Sequence, residues 1–120
     1  MTARQRGDYW EKIAESFLNC RGLKTIERNY LSRFGEIDLV MLDGETVVFA
    51  EVRYRANTRH GSGADSVTHA KQRRIISAAR RFIQCHPETS TRPCRFDVLS
   101  IGVENGDTRV NWIQDAFNTG

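Results

Sequence analysis

The fold is decided by residues 35–55, which read Gly-Glu-Ile-Asp-Leu-Val-Met-Leu-Asp-Gly-Glu-Thr-Val-Val-Phe-Ala-Glu-Val-Arg-Tyr-Arg. Two runs rich in β-branched and aliphatic side chains, 36–42 and 45–53, are separated by Asp43 and Gly44, a strong signal for a two-residue turn. The stretch therefore predicts a β-hairpin. Apolar residues occur on both faces of both strands, which is typical of strands in the middle of a sheet covered on both sides. One predicted apolar face consists of Ile37, Leu39, Met41, Val48, Ala50 and Val52, and the other of Val40, Val47 and Phe49.

The length of the turn determines which side chains of the hairpin share a face. With two turn residues, Glu36 is predicted to lie opposite Glu51, and Asp38 opposite Phe49. Because side chains alternate along a strand, these four side chains and Arg53 are expected on one face. A loop of odd length would instead place Asp38 and Glu51 on opposite faces.

Three carboxylates on one patch of a hairpin repel one another and call for a compensating cation, either a metal ion or an arginine. Carboxylate oxygens without a neighbouring Cys or His suit Mg²⁺ or Mn²⁺ rather than Zn²⁺. The alternative is an acidic face that is turned to water and balanced by Arg53 and Arg55. Spacing alone leaves both interpretations open.

Length and composition favour one ordinary globular domain over residues 1–120, since 39% of the residues are hydrophobic and 28% are charged. The sequence has no apolar run near the length of a membrane span and no signal-peptide pattern at its start, so a cytoplasmic location without membrane attachment is expected. Cys20, Cys85 and Cys94 fit neither a disulfide framework nor a zinc site and are expected to be reduced, buried thiols.

Positive charge is concentrated in one segment. Residues 53–81 hold eight Lys or Arg side chains and one acid, a net charge of +7, whereas the remaining residues hold ten basic and fourteen acidic side chains, a net charge of −4. A basic segment beside an acidic cluster fits a protein that holds a polyanion against a metal site. An Arg-rich helix face exposed to solvent is the plainer alternative.

Periodicity predicts the elements around the hairpin. A first helix is expected over 8–21, where Asp8 and Glu11 resemble a capping box, and a first strand over 24–31. After a basic, Gly-rich loop at 55–66, a second helix is predicted from Ser66 or Thr68 to about Cys85.

The buried stripe of this second helix, extended back by one turn, includes Lys71 and Gln72 but leaves Arg73 and Arg74 outside. Two further strands, 94–102 and 108–113, are joined by an Asn-Gly turn and followed by a terminal turn at 114–117. The predicted order is α-β-β-β-α-β-β.

This order, with Asp in the second strand and Glu-x-basic in the third, resembles the PD-(D/E)XK nuclease fold of many restriction endonucleases and archaeal Holliday-junction resolvases. Gly-Glu-Ile-Asp-Leu-Val at 35–40 and Val-Phe-Ala-Glu-Val-Arg-Tyr-Arg at 48–55 look like the hallmark segments of the YraN family, small bacterial proteins assigned to that fold. The resemblance covers nearly the whole chain and implies an α/β, restriction-endonuclease-like fold with a mixed central sheet flanked by helices. Further agreement is found at Gly7, Glu11, Arg28, Asn29, Lys71, Gln72, Arg95, Phe96, Asp97 and Val98.

The resemblance implies a nucleic-acid-binding protein, with DNA as the first candidate partner, that cleaves phosphodiester bonds in a metal-dependent reaction; branched DNA is among the candidate substrates. Asp38 and Glu51 would bind Mg²⁺ or Mn²⁺, and Glu11 would approach from the first helix unless it only caps that helix. Gln72 resembles the helix residue that often completes such sites. By analogy with resolvases that cut two strands, a homodimer is one candidate assembly, although the sequence itself does not determine the oligomeric state. The implied nucleic-acid-binding residues are Arg53, Arg55, Arg59, Lys71, Arg73 and Arg74.

The chain departs from the superfamily pattern at Arg53, where Lys is usual. In the usual mechanism this Lys helps to orient and activate the attacking water. Arg does not release its proton, although it can stabilise charge that develops on the phosphate. Lys71 is therefore a candidate for the missing ammonium. The alternatives are a catalytically silent module that binds nucleic acid, and a protein-interaction module that keeps the fold as a scaffold.

Overall fold

The computed structural model of the chain describes residues 1–55 and 67–118. Most of the predicted basic loop, including Arg59, lies outside the described residues. The described part is an α/β structure in which two helices flank a mixed five-stranded sheet with the order β1-β2-β3-β4-β5. Its elements are α1 (Ala3–Cys20), β1 (Lys24–Ser32), β2 (Gly35–Asp43), β3 (Thr46–Tyr54), α2 (His69–Cys85), a short 3₁₀ turn (Pro87–Thr89), β4 (Cys94–Glu104) and β5 (Asp107–Phe117).

The predicted order α-β-β-β-α-β-β is confirmed. Neighbouring strands are antiparallel except β3 and β4, which run parallel. Parallel neighbours need a long crossover, and α2 lies in the segment that joins these two strands. No described helix is both long and apolar enough to span a bilayer.

Both faces of the sheet are covered, as the hairpin sequence predicts. On one face α2 packs Ile75, Ala79 and Phe82 against Val47 and Phe49. On the other face α1 packs Ala14 and Leu18 against a cluster that includes Leu39, Met41, Val48 and Ala50. The hairpin of β2 and β3 therefore lies in the centre of the molecule, with one helix on each side.

The start of α1 differs from the prediction. The helix is capped by Thr2, whose side chain accepts a hydrogen bond from the N–H of Gln5, and the Gln5 side chain returns the bond to complete a capping box. Asp8 consequently lies inside the helix, and the predicted cap formed by Asp8 and Glu11 is wrong. The side chain of Glu11 is free of any capping role.

The turn of the central hairpin is also displaced by one residue. Asp43 pairs with Thr46, so that Gly44 and Glu45 form the turn instead of Asp43 and Gly44. Gly44 has a φ of 59°, a left-handed conformation that favours glycine at the first position of a hairpin turn. Val40 lies opposite Phe49, whereas the predicted turn would have placed Asp38 there. Because the partner changes by two residues, each β3 side chain stays on its predicted face.

The last strand is longer than predicted, since β5 continues to Phe117 through residues expected to form a terminal turn. The fully buried carboxylate of Asp97 accepts hydrogen bonds from Arg95 Nε, Trp112 Nε1 and the N–H of Asp115. These bonds draw the chain back onto β4 after a bulge. The role of Asp97 is therefore structural.

The cysteines do not follow the expectation of burial, because all three thiols are free and exposed. Their positions explain the difference. Cys20 ends α1, Cys85 ends α2 and Cys94 begins β4, so each lies at the end of an element rather than in its packed middle.

Candidate functional site

The candidate site lies where β2 and β3 separate. Their regular pairing runs as far as Leu39 opposite Ala50. Beyond this pair, Oδ2 of Asp38 accepts a hydrogen bond of 2.8 Å from the N–H of Val52. A side-chain carboxylate thus takes the place of a main-chain acceptor at the opening between the strands.

The alternation of β2 also breaks at Asp38. Ile37 packs in the cluster on the α2 side, together with Val40, whereas Leu39 packs on the α1 side. The prediction that Ile37 and Leu39 share a face is therefore wrong. Asp38 is inserted at this irregularity, which places its carboxylate between the two strands instead of flat on one face.

Asn29 marks a matching irregularity on the neighbouring strand, β1. It has a φ of 49°, which is uncommon for a residue other than glycine. Its amide donates hydrogen bonds to Oε1 of Glu11, at 2.6 Å, and to Oε1 of Glu36, at 3.1 Å. Glu36 is therefore drawn towards Glu11 of α1, and the predicted pairing of Glu36 with Glu51 is wrong.

Glu51 is buried, with 4% of the residue exposed, and faces α2. Nζ of Lys71 lies 2.9 Å from Glu51 Oε1, and an Nη atom of Arg53 lies 3.8 Å from the same oxygen. Lys71 is in the first turn of α2, where the side chain of Thr68 accepts a hydrogen bond from its N–H. The helix start therefore holds an ammonium against the buried carboxylate at closer range than Arg53.

The carboxyl of Asp38 has a pKa raised to about 8. The main cause is burial, which penalises the charged form, and repulsion by Glu51 is the second. The hydrogen bond from Val52 and the charge of Lys71 oppose this rise, whereas Glu11 adds to it. Asp38 thus holds a proton at neutral pH, and the charges of Glu51 and Glu11 both disfavour its ionised form.

Glu11 is held near this pair by contacts of α1 with β1. Its pKa is raised mainly by burial, with further repulsion from Glu36, Asp8 and Glu51, while the bond from Asn29 lowers it. One helical turn further along α1, Glu15 binds Arg28 with an N–O distance of 2.7 Å. This ion pair fastens α1 to β1 and so fixes the position of Glu11.

The described part of the chain offers a divalent ion only a small set of acidic ligands. In residues 1–55 and 67–118, no group of three or more His, Cys, Asp or Glu side chains is arranged to hold a metal. Asp38 and Glu51 nevertheless supply two neighbouring carboxylates, and Mg²⁺ is commonly bound by one or two carboxylates with water and substrate phosphates. The pair fits such an ion, whose charge would relieve the repulsion between the two acids. Glu11 is bound to Asn29 instead.

The other predicted site residues lie around this pair. Nε2 of Gln72 donates a hydrogen bond of 2.9 Å to the carbonyl of Val67, so its amide serves the start of α2. Arg73 and Arg74 of α2 are both exposed. Arg55 follows β3, and its N–H bonds to the carbonyl of Ile101. Arg59 is in the segment that is not described.

Asn29 is the site residue to which sequence reasoning assigned no role. Its signal was its place in a predicted strand, where Asn disrupts the β pattern. The hydrogen bonds to two acids give this disruption its physical reason.

Residues 10–101 match the model of the uncharacterised protein family UPF0102, which is the YraN family. The chain belongs to this family. The UPF0102 protein of Nitrosococcus oceani is 47% identical over 116 residues, which cover 97% of this chain and 94% of the relative. The UPF0102 protein of Pseudomonas syringae pv. syringae is 45% identical over 119 residues, which cover 98% and 97%. The UPF0102 protein of Aeromonas hydrophila is 46% identical over 117 residues, which cover 97% and 87%.

The resemblance drawn from the two hairpin segments is thereby confirmed, and both segments lie inside the matched range. In this UPF0102 family member, Asp38, Glu51 and Lys71 also lie inside the matched range.

Proposed function

We propose that this protein binds nucleic acid and hydrolyses its phosphodiester bonds with a divalent ion held by Asp38 and Glu51. The observation that carries the proposal is the pair of carboxylates at the opening between β2 and β3, the partly buried Asp38 and the buried Glu51, with Lys71 Nζ 2.9 Å from Glu51. Two acids forced together at a strand opening are costly to the fold. An arrangement that raises the pKa of an acid to about 8 is typical of functional sites.

In this proposal, Asp38 and Glu51 hold Mg²⁺ or Mn²⁺. When bound, such an ion activates a water molecule and compensates charge on the phosphate. Lys71 keeps a compact positive charge beside Glu51 and can donate hydrogen bonds to the attacking water or to a phosphate oxygen. Because an arginine side chain does not give up its proton, Arg53 serves to stabilise the phosphate oxygens rather than to transfer a proton.

The test is cleavage of labelled single-stranded, duplex and branched DNA and RNA by the purified chain in Mg²⁺, Mn²⁺ or EDTA. We expect cleavage with either metal and none in EDTA. Glu51→Gln should be inactive, whereas Glu45→Gln, which changes an exposed acid in the turn of the same hairpin, should cut like wild type. If neither wild type nor Arg53→Lys cuts any substrate with either metal, the nuclease part of the proposal is refuted.

A second candidate function is nucleic-acid binding without cleavage. It is favoured by the ion pair of Lys71 with Glu51, which already compensates one of the two acids, and by Arg in place of Lys at position 53. Binding of nucleic acid by the wild-type protein, without cleavage under any metal condition, would support this alternative.

Binding should depend on phosphate contacts of the exposed face of α2. Arg73→Ala combined with Arg74→Ala should weaken binding to all sequences about equally, and should reduce the slope of log affinity against log salt by up to ~2. The measurement is a salt titration by fluorescence anisotropy. A double variant with an unchanged slope would show that the phosphates lie elsewhere.

A further inference from the structure

A second cleft lies beside the turn between β1 and β2, away from the Asp38–Glu51 pair. It has a volume of about 760 Å³ and runs between this turn and the C-terminal half of α2. This size falls within the roughly 300–1,000 Å³ of typical ligand sites. The side chains that matter for its chemistry are Leu31 at the end of β1, Arg33 and Phe34 from the turn, and Arg81 and Gln84 from α2.

The turn presents apolar surface to solvent in a fixed shape. Leu31 is 77% exposed and Phe34 is 40% exposed, and both line the cleft. Between them, the Ser32 hydroxyl accepts a hydrogen bond from the N–H of Phe34 and donates one to the carbonyl of Gly35, both at 3.1 Å. The two bonds of Ser32 fix the shape of the turn, and the exposed side chains of Leu31 and Phe34 beside it leave apolar surface available to a flat ligand.

The charged side chains that line the cleft in the described part of the chain are all basic. The guanidinium of Arg33 lies 5.0 Å from the centre of the Phe34 ring, and Arg81 enters from α2. The described residues that line the cleft include no Asp or Glu. An aromatic ring with a cation beside it is the combination that proteins use to stack a nucleobase and neutralise its phosphate.

The cleft is also linked to the carboxylate site through α2. Lys71 and Arg81 lie on the same helix, ten residues apart, a distance of about 15 Å along the axis. Arg74 lies between them and packs its Cβ against Gly35 at the start of β2. One strand of nucleic acid that follows this helix can therefore reach both places.

We propose that this cleft binds an unstacked nucleobase, with its neighbouring phosphate, from an unpaired segment of nucleic acid. This inference rests on the proposed function and specifies its substrate class, which is nucleic acid with unpaired nucleotides. Leu31 and Phe34 provide the stacking surface, and Arg33 and Arg81 bind the phosphate. A fully paired duplex keeps its bases stacked and cannot fill the cleft. A protein partner is the less favoured occupant, because the cleft offers one cation from the turn and one from α2 rather than a broad apolar face.

The test is binding in EDTA, which separates recognition from cleavage. A fluorescein-labelled oligothymidylate and a duplex of the same length are titrated by anisotropy with wild type, Phe34→Ala, Leu31→Ser and Phe34→Trp. We expect Phe34→Ala to raise the dissociation constant for the single strand roughly 5- to 100-fold, with little change for the duplex. Leu31→Ser should act in the same direction, and Phe34→Trp should retain binding.

The matched control is Val103→Ala on β4. Val103 is an apolar residue that is 44% exposed, close to the 40% of Phe34. It should bind both probes like wild type. If Phe34→Ala and Leu31→Ser bind the single strand as tightly as wild type does, the inference is overturned and the proposed function is untouched. If wild type binds neither probe, the proposed function fails as well.

Discussion

Asp38→Asn is expected to be more stable than wild type above pH 8 in the absence of divalent ions, and to cut no substrate. In the unfolded chain this carboxyl titrates near 3.8, and in the folded protein its pKa is about 8. The folded state therefore binds a proton more tightly. The stabilising contribution of that proton is complete below pH 4, falls as the pH rises and is lost above pH 8.

Asn cannot ionise, so the variant should not show this loss of stability. The expected difference between the two proteins grows with pH to roughly 3 to 5 kcal/mol in alkaline buffer. Urea unfolding in EDTA at a series of pH values measures it. Glu45→Gln, which removes an exposed acid from the same hairpin, should follow the wild-type curve.

Divalent ions should reverse the order of stability of wild type and Asp38→Asn. Millimolar Mg²⁺ or Mn²⁺ should raise the melting temperature of wild type by mass action, because an ion at Asp38 and Glu51 replaces the proton. Asp38→Asn should not respond. Parallel pH curves for wild type and variant, or an equal metal response, would place the repulsion and the metal elsewhere.

The second large effect is expected from Lys71→Ala, which should lower the rate of metal-dependent cleavage at least ~10²-fold, the scale of losing one preorganised charge at a reaction centre. The reason is geometric, since Lys71 Nζ is 2.9 Å from Glu51 and Arg53 is 3.8 Å away. Arg53→Lys should therefore change the rate less than Lys71→Ala. Single-turnover rates at saturating protein measure both.

Lys71→Ala also leaves a buried acid without its closest cation, so stability must be separated from catalysis. Lys71→Arg keeps the charge and should fold normally, but its broad guanidinium should restore only part of the rate. Arg80→Ala, an exposed residue on the same helix, is the matched control. If folded Lys71→Ala cuts as fast as wild type, the lysine has no role in the reaction.

The central hairpin could be predicted from sequence because it depends on local periodicity. The turn was displaced by one residue, yet Glu51 kept its predicted face because the register changed by two partners. Lys71 followed from extending the apolar stripe of α2 by one turn, and its ion pair with Glu51 has that geometry.

The remaining features of the site and of β5 depend on where strands separate or bend, and the periodicity of the sequence does not predict this. The break at Asp38 and the left-handed Asn29 are set by hydrogen bonds between residues far apart in sequence, such as Asn29 with Glu11. The same holds for β5, whose last residues are held by the buried Asp97 on the neighbouring strand. Nothing in the sequence of residues 114–117 predicts that contact.

The hydrogen bond from Val52 to Asp38 gives the site a built-in spectroscopic reporter. A main-chain proton that would ordinarily bond to another main chain bonds here to an ionisable side chain. The NMR shift and the solvent-exchange rate of the Val52 amide should therefore follow the protonation of Asp38. Any ion that enters can be observed at one backbone signal, with no substrate present and no turnover required.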